Sequence, residues 1–238
     1  MIGTLINVGA VLLGTGVGFL CKKGIPKRIE DGVMKTMGLA VILIGLTGAL
    51  GAMGRVEGGA VSFDGGLLLL VSLVLGVLAG ELLKIDDRLG RFGGFVERKL
   101  KIKGFAQGFV PAAVIFCVGA MAILGALEEG LTGDSSILLV KSTLDLVSAA
   151  VLTASLGPSV GFAALAVLLY QGALTLGAGA LAPLMTDALM DQISMVGNAI
   201  ILVIGINFLF GERIKTANLL PAIFVPPLYN LLMMFIKI

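Results

Sequence analysis

Lys141 and Asp145 are the residues of this sequence whose types and spacing point most directly to chemistry. Both fall inside a long apolar segment, and their i, i+4 spacing places the two side chains on one face of a helix. An unpaired carboxylate in a bilayer is costly or becomes protonated, whereas a Lys–Asp pair lowers that cost. The pair therefore predicts either a site that exchanges a proton or holds an ion, or a helix-packing ion pair without turnover.

Neutral polar residues at similar depth are the candidate partners of this pair. Each lies inside a predicted apolar segment, Gln171 at its centre, and they are Asn7, Ser148, Gln171 and Asn198. Such residues more often form hydrogen bonds between helices than bind a ligand. The interpretation that uses them all makes Asp145 a coupling carboxylate, lets Lys141 set its charge, and assigns the neutral residues as ligands of a substrate or ion.

The last apolar segment contains Pro221, Pro226 and Pro227. Proline lacks an N–H donor and clashes with the preceding helical turn, so Pro226-Pro227 predicts a kink or break near the bilayer centre. Carbonyl groups freed by a break survive there only against protein or a water-filled cavity. Transporters use such breaks to expose backbone to a solute, while a plain proline kink is the alternative.

The elements that position these residues are predicted to be transmembrane helices. Apolar residues make up 58% of the chain and charged residues only 13%, with a mean hydropathy of +1.08. A soluble domain carries about 25% charged residues. Histidine is absent, and neither cysteine supports a disulfide or metal site. Because the sequence has one intramembrane acid and no set of nucleophile and base, we expect that the protein is not an enzyme. We also expect no cofactor and no bound metal.

We predict an all-α, polytopic transmembrane helix bundle that forms a single domain over residues 1–238. A span needs about 20 apolar residues, and Gly157-Pro158 divides what would otherwise be one overlong apolar stretch. The eight predicted spans cover residues 3–20, 33–53, 66–83, 106–126, 137–155, 159–183, 194–210 and 218–236.

The loop charges predict the orientation of these spans. The loops that follow spans one, three and seven hold most of the basic residues, namely Lys22, Lys23, Lys27, Arg28, Lys84, Arg88, Arg91, Arg98, Lys99, Lys101, Lys103, Arg213 and Lys215. Basic loops stay in the cytoplasm, so both termini are expected outside a bacterial inner membrane. A seven-span arrangement would place Arg213 and Lys215 outside and is less favoured.

Residues 84–103 form an unusual basic loop, because apolar residues recur in it at near-helical spacing. This pattern predicts an amphipathic cytoplasmic helix held in the headgroup layer by apolar burial and anionic lipid. The alternative is a basic loop that sets the orientation of the neighbouring spans and merely folds back between them. We expect membrane lipid as a partner and no nucleic acid.

Two segments share the pattern Gly-Ala-x-x-Leu-Gly-x-Gly, at residues 9–16 and 172–179. The spans that follow them are also similar, so residues 1–53 and 159–210 are candidate repeat units of inverted topology, as in many secondary transporters. The predicted packing glycines are Gly9, Gly14, Gly172 and Gly177. The parallel pair Gly14-x-x-x-Gly18 and Gly76-x-x-x-Gly80 favours instead several copies of one hairpin, and chance matching of small residues is the third possibility.

The loop at residues 128–136 is acidic and joins predicted spans four and five. Its carboxylates could gather cations at an outer vestibule. Alternatively, it is a solvated loop in which Asp134 or Ser135 caps the next helix.

Several stretches carry a family resemblance: residues 116–125 and 128–134, Lys141-Ser142-x-Leu144-Asp145, Tyr170-Gln171-Gly172 and residues 218–222. Together they resemble the bacterial membrane proteins grouped as domain of unknown function 554, over essentially the whole chain. The resemblance implies a multi-pass inner-membrane protein and assigns no catalytic residue.

The function that these features favour is a secondary transporter or ion-coupled permease for a small solute, as a homodimer. An ion or solute channel could use the same polar stripe without alternating access. A non-transporting scaffold or sensor that docks through residues 84–103 is the third hypothesis.

Overall fold

A computed structural model describes residues 1–22, 27–100, 104–117, 120–211 and 213–236. The predicted basic-loop residues Lys23, Lys101 and Lys103 lie outside the described residues. The α-helices along the chain are α1 (Ile2–Lys22), α2 (Lys27–Met53), α3 (Gly66–Leu83), α4 (Ile85–Leu100), α5 (Phe105–Cys117), α6 (Ala120–Thr132), α7 (Ser136–Leu156), α8 (Ala163–Leu176), α9 (Ala178–Leu181), α10 (Asp187–Phe210) and α11 (Val225–Ile236). Short 3₁₀ helices cover Pro158–Phe162, Ala182–Leu184 and Thr216–Phe224.

Seven of the described helical segments are long and apolar enough to cross a membrane. An eighth is obtained if α5 and α6, which are bent by 58° relative to each other, form one span. The prediction of a helical membrane bundle with about eight spans is therefore confirmed. Predicted span four is thus a bent pair of helices, and predicted span six is shorter than expected because α8 ends at Leu176.

A short β-hairpin follows α2 in the described part of the chain. Strands β1 (Gly54–Glu57) and β2 (Ala60–Phe63) pair antiparallel after α2. The two-residue turn consists of Gly58 and Gly59, which have φ angles of 57° and 83°. Glycine adopts positive φ readily, which suits the tight turns that join two antiparallel strands.

The chain forms two compact units. Unit 1 contains residues 1–35 and 89–185, and α1 packs along α7 within it, with α8 and α6 beside them. Unit 2 contains residues 36–88 and 186–238, and α3 packs there against the 3₁₀ helix Thr216–Phe224, next to α10 and α11.

In unit 1, close packing of α1 on α7 depends on two glycines. A Cβ atom at Gly14 would collide with the carbonyl oxygen of Leu146, and one at Gly18 would collide with that of Ala150. Small residues allow helix backbones to approach in this way. The Gly-x-x-x-Gly spacing of α1 is therefore a helix-packing surface.

Unit 2 uses the same device on α3. A Cβ atom at Gly76 would lie 2.6 Å from the backbone nitrogen of Ala222, and one at Gly80 would overlap the carbonyl oxygen of Asn218. Thus the two Gly-x-x-x-Gly helices noted in the sequence are each seated on a partner within their own unit. This placement describes packing, and the repeat of residues 1–53 and 159–210 stays a prediction.

Candidate functional site

The centre of unit 1 contains the ion pair that the sequence predicts on one helical face. The Lys141 ammonium donates a hydrogen bond to Oδ2 of Asp145, and both side chains are buried. Helix α7 begins at Ser136, whose backbone N–H donates to Asp134 Oδ1 at 2.9 Å, and it ends at Leu156, directly before Gly157 with φ 92°. These two boundaries place Asp145 at the middle of an apolar span.

Asn7 of α1 and Gln171 of α8 meet beside this pair. Asn7 Nδ2 donates to Gln171 Oε1 at 3.2 Å, and the Asn7 side chain lies near the Asp145 carboxylate. Both amides are fully buried. Helices α1, α7 and α8 therefore bring together four predicted site residues, which the sequence indicates because polar side chains are costly inside a membrane. They are Asn7, Lys141, Asp145 and Gln171.

The two amides retain unused hydrogen-bonding capacity. Within the described part of the chain, Asn7 Oδ1 and Gln171 Nε2 are buried without a partner. A buried polar atom in that condition costs about 1–3 kcal/mol. One acceptor and one donor are thus available near a charged pair, and together they could hydrogen-bond a small polar guest.

Cys117 and Tyr170 border the site, and sequence reasoning did not include them. The Cys117 thiol, at the end of α5, is close enough to Lys141 and Asp145 for both charges to act on it. Tyr170 in α8 lies within electrostatic range of that thiol. The sequence signals were the position of Tyr170 directly before Gln171 and the place of both residues in stretches that carry the family resemblance.

Glu129 forms a second buried carboxylate site, which the sequence indicated only as part of an acidic loop. Its side chain is in α6, and the residue is 5% exposed. The Oε1 atom accepts the N–H of Gly3 at 2.6 Å and the hydroxyl of Ser135 at 3.1 Å, while Oε2 accepts the Thr4 hydroxyl at 3.1 Å. The carboxylate thus neutralises the partial positive charge at the first turn of α1.

Two polar contacts between α1 and α8 connect these carboxylates. The Thr4 and Thr175 hydroxyl oxygens are 3.4 Å apart, and the Asn7–Gln171 bond lies one turn further along both helices. Thr4, Asn7, Gln171 and Thr175 are called the polar row below. One end of the polar row contacts Glu129, and the other contacts Asp145.

Beyond the polar row, the same helices turn apolar. Val11 follows Asn7 by one turn on α1, Ala149 follows Asp145 by one turn on α7, and Val167 precedes Gln171 by one turn on α8. All three are fully buried. The apolar layer therefore separates the buried polar residues between the pair and Glu129 from a second buried polar group, Thr153, Ser155 and Ser159, further along the chain.

Two other predicted site residues have different surroundings. Ser148 is half-buried on α7, three residues after Asp145. Asn198 belongs to unit 2, where its Nδ2 donates to the Ser194 carbonyl oxygen at 2.8 Å and its side chain lies against Gly48. The structure accordingly gives Asn198 a helix-packing environment.

The predicted packing glycines also differ from one another. Among the described residues, no atom lies within 4 Å of a Cβ built at Gly9, and only the Met1 side chain approaches one at Gly172. A Cβ at Gly177 would meet the carbonyl oxygen of Ala173 at 2.9 Å, one turn back in its own chain. Of the four, Gly14 makes the close interhelical contact.

Pro226 and Pro227 lie in the first turn of α11, and Pro221 lies inside the preceding 3₁₀ helix. The helix type changes between Phe224 and Val225, immediately before the proline pair. Prolines are tolerated in a first turn because the N–H groups there have no intrahelical acceptor.

Comparisons with known proteins agree on the kind of protein. A family profile described as "Protein of unknown function (DUF554)" matches residues 2–231. The "Uncharacterized membrane protein YdfK" of Bacillus subtilis (strain 168) is 30% identical over 227 residues, covering 95% of this chain and 94% of the relative. The "Uncharacterized protein YqgA" of Escherichia coli (strain K12) is 30% identical over 230 residues, covering 94% and 93%. No solved structure matches the chain significantly.

Proposed function

The chain belongs to the DUF554 family, and we propose that this membrane protein is a secondary transporter or ion-coupled permease for a small solute or ion. The observation that carries the proposal is the Lys141–Asp145 pair, buried at the middle of α7 beside two incompletely bonded amides. Charged groups inside a bilayer are expensive and are usually found on substrate, ion or proton pathways.

The apolar layer that interrupts the buried polar residues supports a carrier more than a channel. The polar row lies between the pair and Glu129, whereas Val11, Ala149 and Val167 form an apolar layer on the other side of the pair. A channel needs a continuous path, whereas a carrier closes one side of its site at a time. In this proposal Asp145 is the coupling carboxylate, and the Asn7 and Gln171 amides bind the guest.

Orientation and assembly form the finer part of the proposal. The exposed basic residues Arg213 and Lys215 after α10 support a cytoplasmic position for that loop, and thereby both termini outside a bacterial inner membrane. We also propose a homodimer. Accessibility of single cysteines to an impermeant maleimide tests the orientation, and cross-linking in native membranes tests the dimer.

Reconstituted protein in proteoliposomes provides the test of transport. Gradients of H⁺, Na⁺ or K⁺ are imposed in turn, with an entrapped pH indicator and solid-supported-membrane currents as readouts. We expect gradient-driven flux in the wild type and its loss in Asp145→Asn. Asp134→Asn is the matched control, because Asp134 is an exposed acid at the start of the same helix.

A double variant separates transport from packing. Lys141→Gln with Asp145→Asn removes both charges while keeping polar side chains of similar size, so the protein should fold. If the pair serves transport, the double variant is monodisperse and inactive. Full flux in this variant would show that the pair is only structural and would remove Asp145 from the mechanism. A separate measurement distinguishes the two kinds of transport: saturable uptake indicates a carrier, and single-channel currents indicate a channel.

A further inference from the structure

Helix α4 joins two candidate membrane spans. It begins at Ile85, two residues after the candidate span α3 ends at Leu83, and Lys84 between them adopts a left-handed conformation with φ 50°. The next helix, α5, begins at Phe105 and belongs to the bent candidate span. A helix of 16 residues is about 24 Å long, so α4 has the length to lie along a bilayer surface between two spans.

One side of α4 is anchored to unit 1. Val96 is buried, and Glu97 Oε1 accepts the N–H of Phe105 at 2.8 Å. The Phe92 ring contacts Phe105 edge to face with 6.0 Å between centroids, and Phe105 in turn stacks on Phe109. These contacts hold α4 at a defined rotation about its axis, so the opposite side is directed outward.

The outward side combines aromatic and basic residues. Phe92 and Phe95 are 52% and 53% exposed, one turn apart. Arg91, Arg98 and Lys99 are exposed, and the Lys99 ammonium lies 5.6 Å from the centre of the Phe95 ring. The acidic residues Asp86 and Asp87 are in the first turn, away from the cluster at residues 91–99.

We propose that residues 91–99 of α4 form a binding surface for anionic phospholipid. In this arrangement, Phe95 and the exposed edge of Phe92 enter the boundary between headgroups and acyl chains, while Arg98 and Lys99 contact lipid phosphates. Positive charge beside exposed aromatic rings complements an anionic bilayer surface. We infer phospholipid as the ligand of this surface because α4 is joined directly to candidate membrane spans on both sides.

The absence of tryptophan from the sequence makes a direct test possible. Phe95→Trp introduces a single fluorophore at the surface, and the protein is reconstituted into mixtures in which either phosphatidylglycerol or phosphatidylcholine carries brominated chains. Bromine quenches tryptophan at contact distance. The ratio of quenching in the two mixtures therefore measures the preference for anionic lipid next to residue 95.

We expect strong quenching with a preference for phosphatidylglycerol. Adding Arg98→Gln and Lys99→Gln should lower that preference by about tenfold, because each basic residue near an anionic surface contributes substantially to attraction. Arg213→Gln with Lys215→Gln, in the Phe95→Trp background, removes the same charge from another loop and should leave the preference unchanged.

Leu70→Trp calibrates the measurement, since Leu70 is an exposed residue within the candidate span α3. Its fluorescence should be quenched by both lipids without preference. The proposal is overturned if Phe95→Trp is quenched without preference for phosphatidylglycerol, or if neutralising Arg98 and Lys99 has no effect. It is also overturned if Leu70→Trp is quenched and Phe95→Trp is not, because protein would then cover this face.

Discussion

Units 1 and 2 hold their helices together in the same way but differ in what they bury. In unit 1, Gly14 and Gly18 bring α1 onto α7, and in unit 2, Gly76 and Gly80 bring α3 onto the 3₁₀ helix Thr216–Phe224. Small-residue packing of this kind is a general means of helix association in membranes. The shared device therefore accounts for assembly in both units and distinguishes neither.

The difference between the units is their buried charge. Unit 1 buries the Lys141–Asp145 pair and the Glu129 carboxylate. In the described residues of unit 2, the ion pair Arg55–Asp191 is 39% and 42% exposed at its side chains, and Glu81 is exposed where it bonds Asn218. Since the buried ion pair of unit 1 has no counterpart among the ion pairs of the described residues of unit 2, packing alone does not require the one in unit 1. The comparison favours a functional role for Lys141 and Asp145.

The largest expected effect comes from breaking the buried pair from one side. Lys141→Met leaves Asp145 uncompensated and should cost about 3–5 kcal/mol, whereas Lys141→Met with Asp145→Leu should be close to wild type in stability. Thermal loss of monodisperse protein in detergent measures both. Arg55→Met, which breaks the exposed pair of unit 2, should cost less than about 1 kcal/mol. Equal losses of stability for Arg55→Met and Lys141→Met would contradict the difference between the ion pairs of the two units.

A smaller effect, equal in both units, is expected from crowding the glycine contacts. Gly14→Ala and Gly76→Ala should each cost about 1–3 kcal/mol, because the added methyl group meets backbone atoms of the partner. Gly16→Ala is the control on α1, since no described atom lies within 4 Å of its Cβ position. Its helix should be unchanged or slightly stabilised in the same thermal assay. A loss confined to one unit would show that the packing device is not shared.

Removing the charge from Glu129 should cost about 2 kcal/mol, since hydrogen bonds to a charged acceptor are worth more than neutral ones. Glu129→Gln keeps the size of the side chain but can no longer accept donors on both oxygens. Hydrogen exchange at the first turn of α1 should rise along with a lower Tm. The neighbouring Glu128→Gln should leave hydrogen exchange at the first turn of α1 unchanged. A similar rise in the Glu128→Gln variant would contradict the role assigned to Glu129.

The smallest effect is expected in unit 2 at Asn218. Its Oδ1 accepts the Asp86 N–H and its Nδ2 donates to Glu81, both at 2.9 Å. Asn218→Ala should cost about 1 kcal/mol in the thermal assay. Glu81→Gln retains an acceptor and should be near neutral. A cost for Asn218→Ala comparable to that of Lys141→Met would mean that unit 2 also depends on a buried polar centre.

Part of the candidate site could be predicted because it depends on local geometry. Lys141 and Asp145 pair within one helix, where spacing alone places them together. The bounds of α7 were also accessible, because Asp134 and the Gly157-Pro158 turn are local signals. The Glu129 site was not accessible, since its bond to Gly3 spans 126 residues and needs α6 beside the start of α1. The contrast between Gly9 and Gly14 depends similarly on which face of α1 meets α7.

The sequence by itself determined that this is a membrane protein, the approximate number of its spans and the pairing of Lys141 with Asp145. Those properties follow from apolar length, from loop charge and from the 3.6-residue period of a helix. Only the tertiary structure decided that Asn7 and Gln171, 164 residues apart, meet beside the pair, and that Glu129 is buried. Such contacts depend on the rotation of each helix and on its neighbours, and no local pattern encodes either.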